Sequence, residues 1–386
     1  MKFKGFRRSD GSVGVRNHVV ILPGCICSAG AARKIAAAAK GTTYLYNPNG
    51  CAQNTEDTAL TLEILSGLIA NGNVYGALIV GLGCEIIQEE MYMNAIREKT
   101  DKPVHYISIQ KEGGIAKTVT RGVEIAERLC REAAQCQRED IDISELILGM
   151  ECGGSDPTSG FSANTVLGNT SDRLVDLGGT SVLSETPEAI GAENILRRRG
   201  ITPEIGQKLY DTVKRCEQLY LDAGEDIRNT NPSPGNKAGG ITTLEEKSIG
   251  CIHKSGSKPF TDVIGYGEKI TQKGLLFMDS TAYDVASTVA KIAGGAQVIA
   301  FTTGRGTPVG NAIAPVIKIT GNHDTFTYLN DMMDFDTSDS FLGHKTIEEL
   351  GEELLEYILR VCNGTLVKAE ENDISDMAIN QLHSYC

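Results

Sequence analysis

The chain predicts an α/β protein with parallel sheets, and three observations carry that expectation. Short apolar runs ending in Gly or Cys alternate with longer stretches of helical periodicity. Nine such runs occur, which is more than one small sheet holds comfortably, so two α/β regions are expected. Gly contributes 43 of 386 residues without any collagen-like period, which implies many tight turns.

In chain order the expected strands are residues 18–23, 43–46, 75–80, 104–109, 146–150, 180–184, 275–278, 298–302 and 316–319. Asn54 is placed to cap a helix whose apolar positions Leu60, Ile64, Leu65 and Leu68 repeat until Asn71-Gly72 stops it. Thr346 and Glu349 form a capping box ahead of Leu350, Leu354 and Ile358, and Thr242 with Glu245 is expected to do the same for a segment ending near Gly256. The polar stretch 130–142 marks a boundary between an N-terminal α/β domain, 1–140, and a second one, 141–386. Residues 225–240 read as an ordered functional loop, and 370–386 as a surface tail.

Composition excludes several classes. A net charge of −13 with no basic cluster argues against nucleic acid. No apolar run approaches membrane-spanning length and no leader-like segment opens the chain, so a cytoplasmic protein without membrane contact is expected. Eleven Cys in that setting read as reduced thiols or ligands.

Three Cys follow expected strands beside Gly: Asn49-Gly50-Cys51, Gly83-Cys84-Glu85 and Glu151-Cys152-Gly153-Gly154-Ser155-Asp156. Loops at the carboxyl ends of parallel strands converge on one crevice, so Cys51, Cys84 and Cys152 are candidate ligands of one soft metal or cluster with an open position. The plainer alternative is three buried small hydrophobes. Cys25 and Cys27 are a weaker pair; Cys130, Cys216 and Cys362 lie on helical patterns and read as core. The loop Ser233-Pro234-Gly235-Asn236-Lys237-Ala238-Gly239-Gly240 presents an amide and an ammonium suited to a carboxylate, and a desolvated Lys237 would serve as base. Thr302-Thr303-Gly304-Arg305-Gly306 offers a guanidinium fork. No Walker, Rossmann or G-x-S-x-G fingerprint occurs, which disfavours nucleotide use and an α/β-hydrolase.

Together, Phe6 to Asn17, Gly81-Leu82-Gly83-Cys84-Glu85, Cys152 to Asp156, Ser233 to Gly240, Phe277-Met278-Asp279 and Phe301 to Gly306 resemble the altronate and galactarate dehydratase family over about residues 5 to 365. The resemblance implies a first α/β region with dimer contacts and then a Rossmann-like parallel sheet with flanking helices and an unusual crossover. It also implies an iron-dependent lyase that removes water from a sugar acid to give a 2-keto-3-deoxy acid. A sulfolactate sulfo-lyase large subunit belongs to the same family, and a non-catalytic sugar-acid binding subunit is the alternative of another class. On this basis Cys51, Cys84 and Cys152 would hold iron, as Fe2+ or a three-cysteine cluster. Glu85, Glu151 and Asp156 are alternative hard ligands for mononuclear Fe2+ or Mn2+. Arg16, Asn17, Ser155, Asn236 and Arg305 would bind substrate, with Lys237 or His18 as base. Longer members carry a small β-rich, SAF-like domain ahead of the Arg-x-Asp-Gly motif, which here starts near Met1, so a separate small subunit and a homodimer or higher oligomer are expected.

Overall fold

The chain opens with β1 (Lys2–Arg7) and β2 (Val13–Gly14), an antiparallel pair. This computed structural model describes residues 1–383. β3 (His18–Pro23), β4 (Thr42–Tyr44), β5 (Val74–Gly81) and β6 (Val104–Ser108) form a parallel sheet in the order β4-β3-β5-β6. Near-continuous apolar runs build β3 and β5, the buried central strands of this sheet, with partly exposed β4 and β6 at its edges. β7 (Glu139–Asp142) returns to pair antiparallel with β1, from Lys2↔Asp142 to Gly5↔Glu139.

The second parallel sheet contains β8 (Ile147–Cys152), β9 (Thr180–Leu183), β10 (Phe260–Ile264), β11 (Gly274–Met278), β12 (Val298–Thr302), β13 (Val316–Thr320) and β14 (Phe335–Asp336). Its order is β10-β11-β9-β8-β12-β13-β14. The chain leaves β8 toward β9 on one side and later places β12 on the other, so a topological switch point lies between β8 and β12. Sheets of this kind open their ligand crevice outside the carboxyl ends of the strands at that point.

All nine expected strands are present, within two residues at their ends. Of the five not foreseen, β2, β7, β10 and β14 are sheet edges and β1 is the short polar strand between β2 and β7. Asn54 caps the helix Thr55–Ala70 through the Asp57 N–H, and the Thr346 and Glu349 box caps Ile347–Cys362. The expected cap at Thr242 is shifted by one residue: Thr243 accepts from the Glu246 N–H and Thr242 bonds the Glu246 carboxylate. Residues 225–240 are ordered around the short helix Pro234–Ala238.

The two sheets share a core. Ile64, Leu65 and Leu68 pack with Val289, Ala290 and Ile292 of the helix Asp284–Ala293, each large side chain contributing about 1.5–3 kcal/mol by burial. The helices approach closely because Gly67 has no side chain; a Cβ there would stand 2.6 Å from the Ala293 carbonyl oxygen. The Asn71 amide donates to the Ile292 and Ala296 carbonyls, so the C-terminal ends of the two helices meet.

Residues 374–383 are not the free surface tail that the sequence suggests. Ile379 is buried in the shared core, the Asn380 N–H donates to the Tyr266 hydroxyl, and the Leu382 and His383 N–H groups donate to the Asp57 carboxylate. This segment straps the second sheet to the first; residues 384–386 lie outside the described residues. Among the described residues no helix is long and apolar enough to cross a membrane.

Candidate active site

The carboxyl ends of β8 and β9 and the helix Leu244–Ile252 bring together Cys152, Glu185 and Cys251, all buried. The Cys152 Sγ lies 3.8 Å from the Cys251 Sγ and 3.6 Å from the Glu185 Oε1. One ligand atom from each residue falls within 4.8 Å of the others. Four-coordinate metal–sulfur and metal–oxygen distances of about 2.3 and 2.1 Å imply S···S and S···O separations of about 3.8 and 3.6 Å, so this donor set fits one ion. Two sulfurs and a carboxylate suit a borderline or soft divalent ion such as Fe2+.

Backbone strain supports a special role for Glu185. Its φ of 68° and ψ of 60° are left-handed, which is costly for a side chain of this size. The conformation turns the carboxylate back under β8, where the Cys152 N–H donates to it at 3.1 Å. Lys254, fully buried, donates to the Glu185 Oε2 at 2.6 Å and to the Cys251 Sγ at 3.3 Å, holding the two side by side.

A harder group shares Glu185: Glu151, Glu185 and Asp284 also offer atoms within 4.8 Å of one another. The buried Lys291 ammonium donates to Glu151 and to the Ser184 and Ser287 hydroxyls. Four carboxylates, Glu151, Glu185, Glu188 and Asp284, face three ammonium groups, Lys247, Lys254 and Lys291, before either thiol ionises. The acids outnumber the ammonium groups only when all four are ionised, a state that a bound cation would favour.

Titration follows from this crowding. The neighbouring Cys251 and burial raise the Cys152 thiol well above its ordinary range. Burial, then the Glu185 charge, does the same to Glu151. Glu185 stays low despite burial because Lys254 faces it. Loss of solvent, reinforced by Glu185 and Glu188, pushes Asp284 up to about 7. Gly153 makes room for that carboxylate: a Cβ there would stand 2.2 Å from the Asp284 Oδ2.

The structure distributes the expected site residues unevenly. Cys152 is in the triad, whereas half-buried Cys51 and exposed Cys84 stand on loops of the four-stranded sheet and do not fall within single-ion distance of it. Of the three cysteines singled out from sequence, the structure brings Cys152 alone into this group, beside Cys251. Glu151 belongs to the harder group, but Glu85 and Asp156 are committed elsewhere. Glu85 accepts from the Leu82 and Gly83 N–H groups and the Tyr106 hydroxyl. Asp156 accepts from Thr158, Ser159 and Asn322.

Ser155 and Asn236 meet, the Asn236 amide donating to the Ser155 carbonyl at 3.0 Å, and Arg305 donates to the Gly235 carbonyl beside them. Lys237, on the same short helix as Asn236, is exposed. Arg16 is spent on Glu370 and three backbone carbonyls, and Asn17 bridges Arg8 and the Ala133 carbonyl. His18 sits at the amino end of β3, bonded to Thr43, with burial lowering its pKa to about 4. These three are framework, remote from the carboxyl-edge loops.

Sequence reasoning missed Glu185, Cys251, Lys254, Asp284 and Lys291. A carboxylate directly after an expected strand, in Ser184-Glu185-Thr186-Pro187, was the available signal for Glu185. Cys251 sits at helical spacing and reads as core.

Residues 5–134 match the second domain of D-galactarate dehydratase/altronate hydrolase, and residues 143–384 match the C-terminal domain of D-galactarate/altronate dehydratase. The chain belongs to the altronate/galactarate dehydratase family. It is 37% identical to an altronate dehydratase of Bacillus subtilis over 98% of this chain and 77% of that protein. It is 34% identical to the L-threo-forming galactarate dehydratase of Escherichia coli, over 94% and 73%. It is also 34% identical to the (2R)-sulfolactate sulfo-lyase subunit beta of Chromohalobacter salexigens, over 99% and 97%. These dehydratase-family relatives are hydro-lyases and a sulfo-lyase, which makes this chain a lyase by family.

Proposed function

We propose that the chain is a metal-dependent lyase that eliminates water from a sugar acid, such as altronate or galactarate, to give a 2-keto-3-deoxy acid. The observation that carries this is the Cys152, Glu185 and Cys251 triad at the carboxyl ends of β8 and β9, next to the switch point, in a chain from a dehydratase family. When bound by these residues, Fe2+ would supply Lewis acidity toward the leaving oxygen. Mn2+ would suit the harder Glu151, Glu185 and Asp284 set.

The chain's own groups do the rest. Elimination needs removal of a weakly acidic proton next to a carboxylate, and Asp284, titrating near neutrality, can take it at Oδ2. Lys254 fixes Glu185 and offsets the charge of the ligand set. Ser155, Asn236 and Arg305, brought together from three separate segments, form the rim toward which substrate hydroxyls are directed; Lys237 stands outside it. The described cysteines are all unpaired, in keeping with a reducing, cytoplasmic setting.

A second reading is a sulfolactate sulfo-lyase large subunit, favoured by end-to-end coverage of a protein named as subunit beta. That name supports a separate small β-rich subunit completing the site. A homodimer through the first sheet has support in the exposed Ile26, Tyr46, Ile86 and Met91. Anaerobically purified chain, alone and with a co-purified small subunit, is screened against sugar acids and sulfolactate. Formation of 2-keto-3-deoxy acid supports the first reading and sulfite release the second. Neither product from metal-loaded chain with its small subunit rejects the lyase.

A further inference from the structure

One turn before Cys251, on the same face of the helix Leu244–Ile252, stands Lys247. Lys247, Cys251 and Cys152 line one cavity of about 380 Å3. The Lys247 ammonium donates to the Glu188 Oε1 at 2.8 Å and to the Asn231 Oδ1 at 2.9 Å. The Lys247 and Glu188 side chains are only 13% and 7% exposed. A pair this buried is a poor source of stability, because desolvation offsets most of its attraction. An ammonium carries three N–H donors, and the protein occupies two of them.

The other basic side chain on the cavity wall, His253, is exposed. Among the residues lining the cavity, Lys247 is the one lysine or arginine. The two acids on the same wall are already engaged, Asp156 by its own loop and Asn322, Glu246 by Thr242. Arg305 and Lys237, the cations expected from sequence to take a carboxylate, are both exposed and do not line the cavity.

We propose that Lys247 is the specificity residue that receives the carboxylate of a 2-hydroxy acid, with Glu188 and Asn231 as positioning residues that aim its third N–H. A carboxylate held there lies beside the Cys152 and Cys251 sulfurs, so the carbon chain next to it is delivered to the triad. Sugar acids and sulfolactate share this 2-hydroxycarboxylate head, so the assignment serves either reading of the reaction. It rests on the lyase reading only for the chemistry after binding.

Glycolate tests binding apart from turnover, because it carries the 2-hydroxycarboxylate head but no β carbon from which to eliminate; glycolamide is its uncharged control. Titration calorimetry of the full chain, with and without metal, is expected to show glycolate binding well above glycolamide. Lys247→Met is expected to weaken glycolate at least about 30-fold, the lower end, near 2 kcal/mol, of what a desolvated charge partner is worth. Lys247→Arg should recover part of it. Glu188→Gln should reduce the preference for glycolate over glycolamide without abolishing binding. Lys247→Met/Glu188→Gln removes both charges, so no lone buried carboxylate remains to unfold the protein, and it is expected to lose glycolate like the single variant. Wild-type glycolate binding retained in the folded double variant overturns the proposal, as does a wild-type chain that does not distinguish glycolate from glycolamide. Lys247-dependent binding without turnover of any hydroxy acid by metal-loaded chain with its small subunit would instead keep this assignment and reject the lyase.

Discussion

Replacing Lys254 by Met removes the ammonium that Glu185 and Cys251 share. The Glu185 Oε2 is 2.6 Å from the Lys254 Nζ, and the two side chains are 1% and 0% exposed. Without it the carboxylate keeps the Cys152 N–H at 3.1 Å, and no solvent reaches it to compensate. Breaking a buried pair by deleting one partner costs about 3–5 kcal/mol, so Lys254→Met should lower the unfolding free energy of metal-free chain by that amount. Glu185→Gln leaves Lys254 buried without its counter-charge and should cost a similar sum. The double variant should cost less than the two added together, with a coupling of about 2 kcal/mol or more. Urea unfolding of chelator-treated protein under reducing conditions measures all four corners. A loss below about 1 kcal/mol in Lys254→Met, or strict additivity, would refute the claim that this pair organises the site.

Two further outcomes arise from the same pocket. Gly153→Ala would push a methyl group to 2.2 Å from the Asp284 Oδ2, so kcat of the active lyase should fall by roughly tenfold or more while the melting temperature moves only a few degrees; unchanged kcat would place Asp284 outside the reaction. Asp284 titrates near 7 against an ordinary 3.8, so its contribution to stability is full below about pH 4 and is lost as pH rises to 7. Metal-free Asp284→Asn should therefore gain melting temperature over wild type at pH 8 and little at pH 5, and equal shifts at both would contradict the raised pKa.

The parallel strands were legible because burial on both faces writes continuous apolar runs into the sequence, as in residues 18–23 and 298–302. The caps at Asn54 and Thr346 were legible because a cap is made within four residues. The triad was not, since Cys152, Glu185 and Cys251 come from three separate elements whose convergence depends on the sheet order. Three Cys-Gly loops looked alike in sequence, yet two of them belong to the other sheet.

The motif from Phe6 to Asn17 shows a different limit. The resemblance assigned its Arg16 and Asn17 to substrate, whereas the motif's Arg8 holds the Gly72 and Arg16 carbonyls, and the buried Asn73 accepts from the Val15 and Arg16 N–H groups. Asn73 also donates to the Gln297 and Ile313 carbonyls of the second region. The motif clasps the two α/β regions together, and nothing in its residue types separates a clasp from a site.

The central claim is that Cys152, Cys251 and Glu185 hold the metal. Cobalt(II) added to anaerobic, metal-free chain reports thiolate ligation through a sulfur-to-metal charge-transfer band. Wild type should show that band at one ion per chain, with affinity rising with pH because the Cys152 thiol must lose its proton. Cys152→Ser and Cys251→Ser should each weaken it, and Cys51→Ser and Cys84→Ser should leave it intact. A band that survives in the Cys152 and Cys251 variants and disappears in those of Cys51 and Cys84 would contradict the account and move the metal to the first sheet.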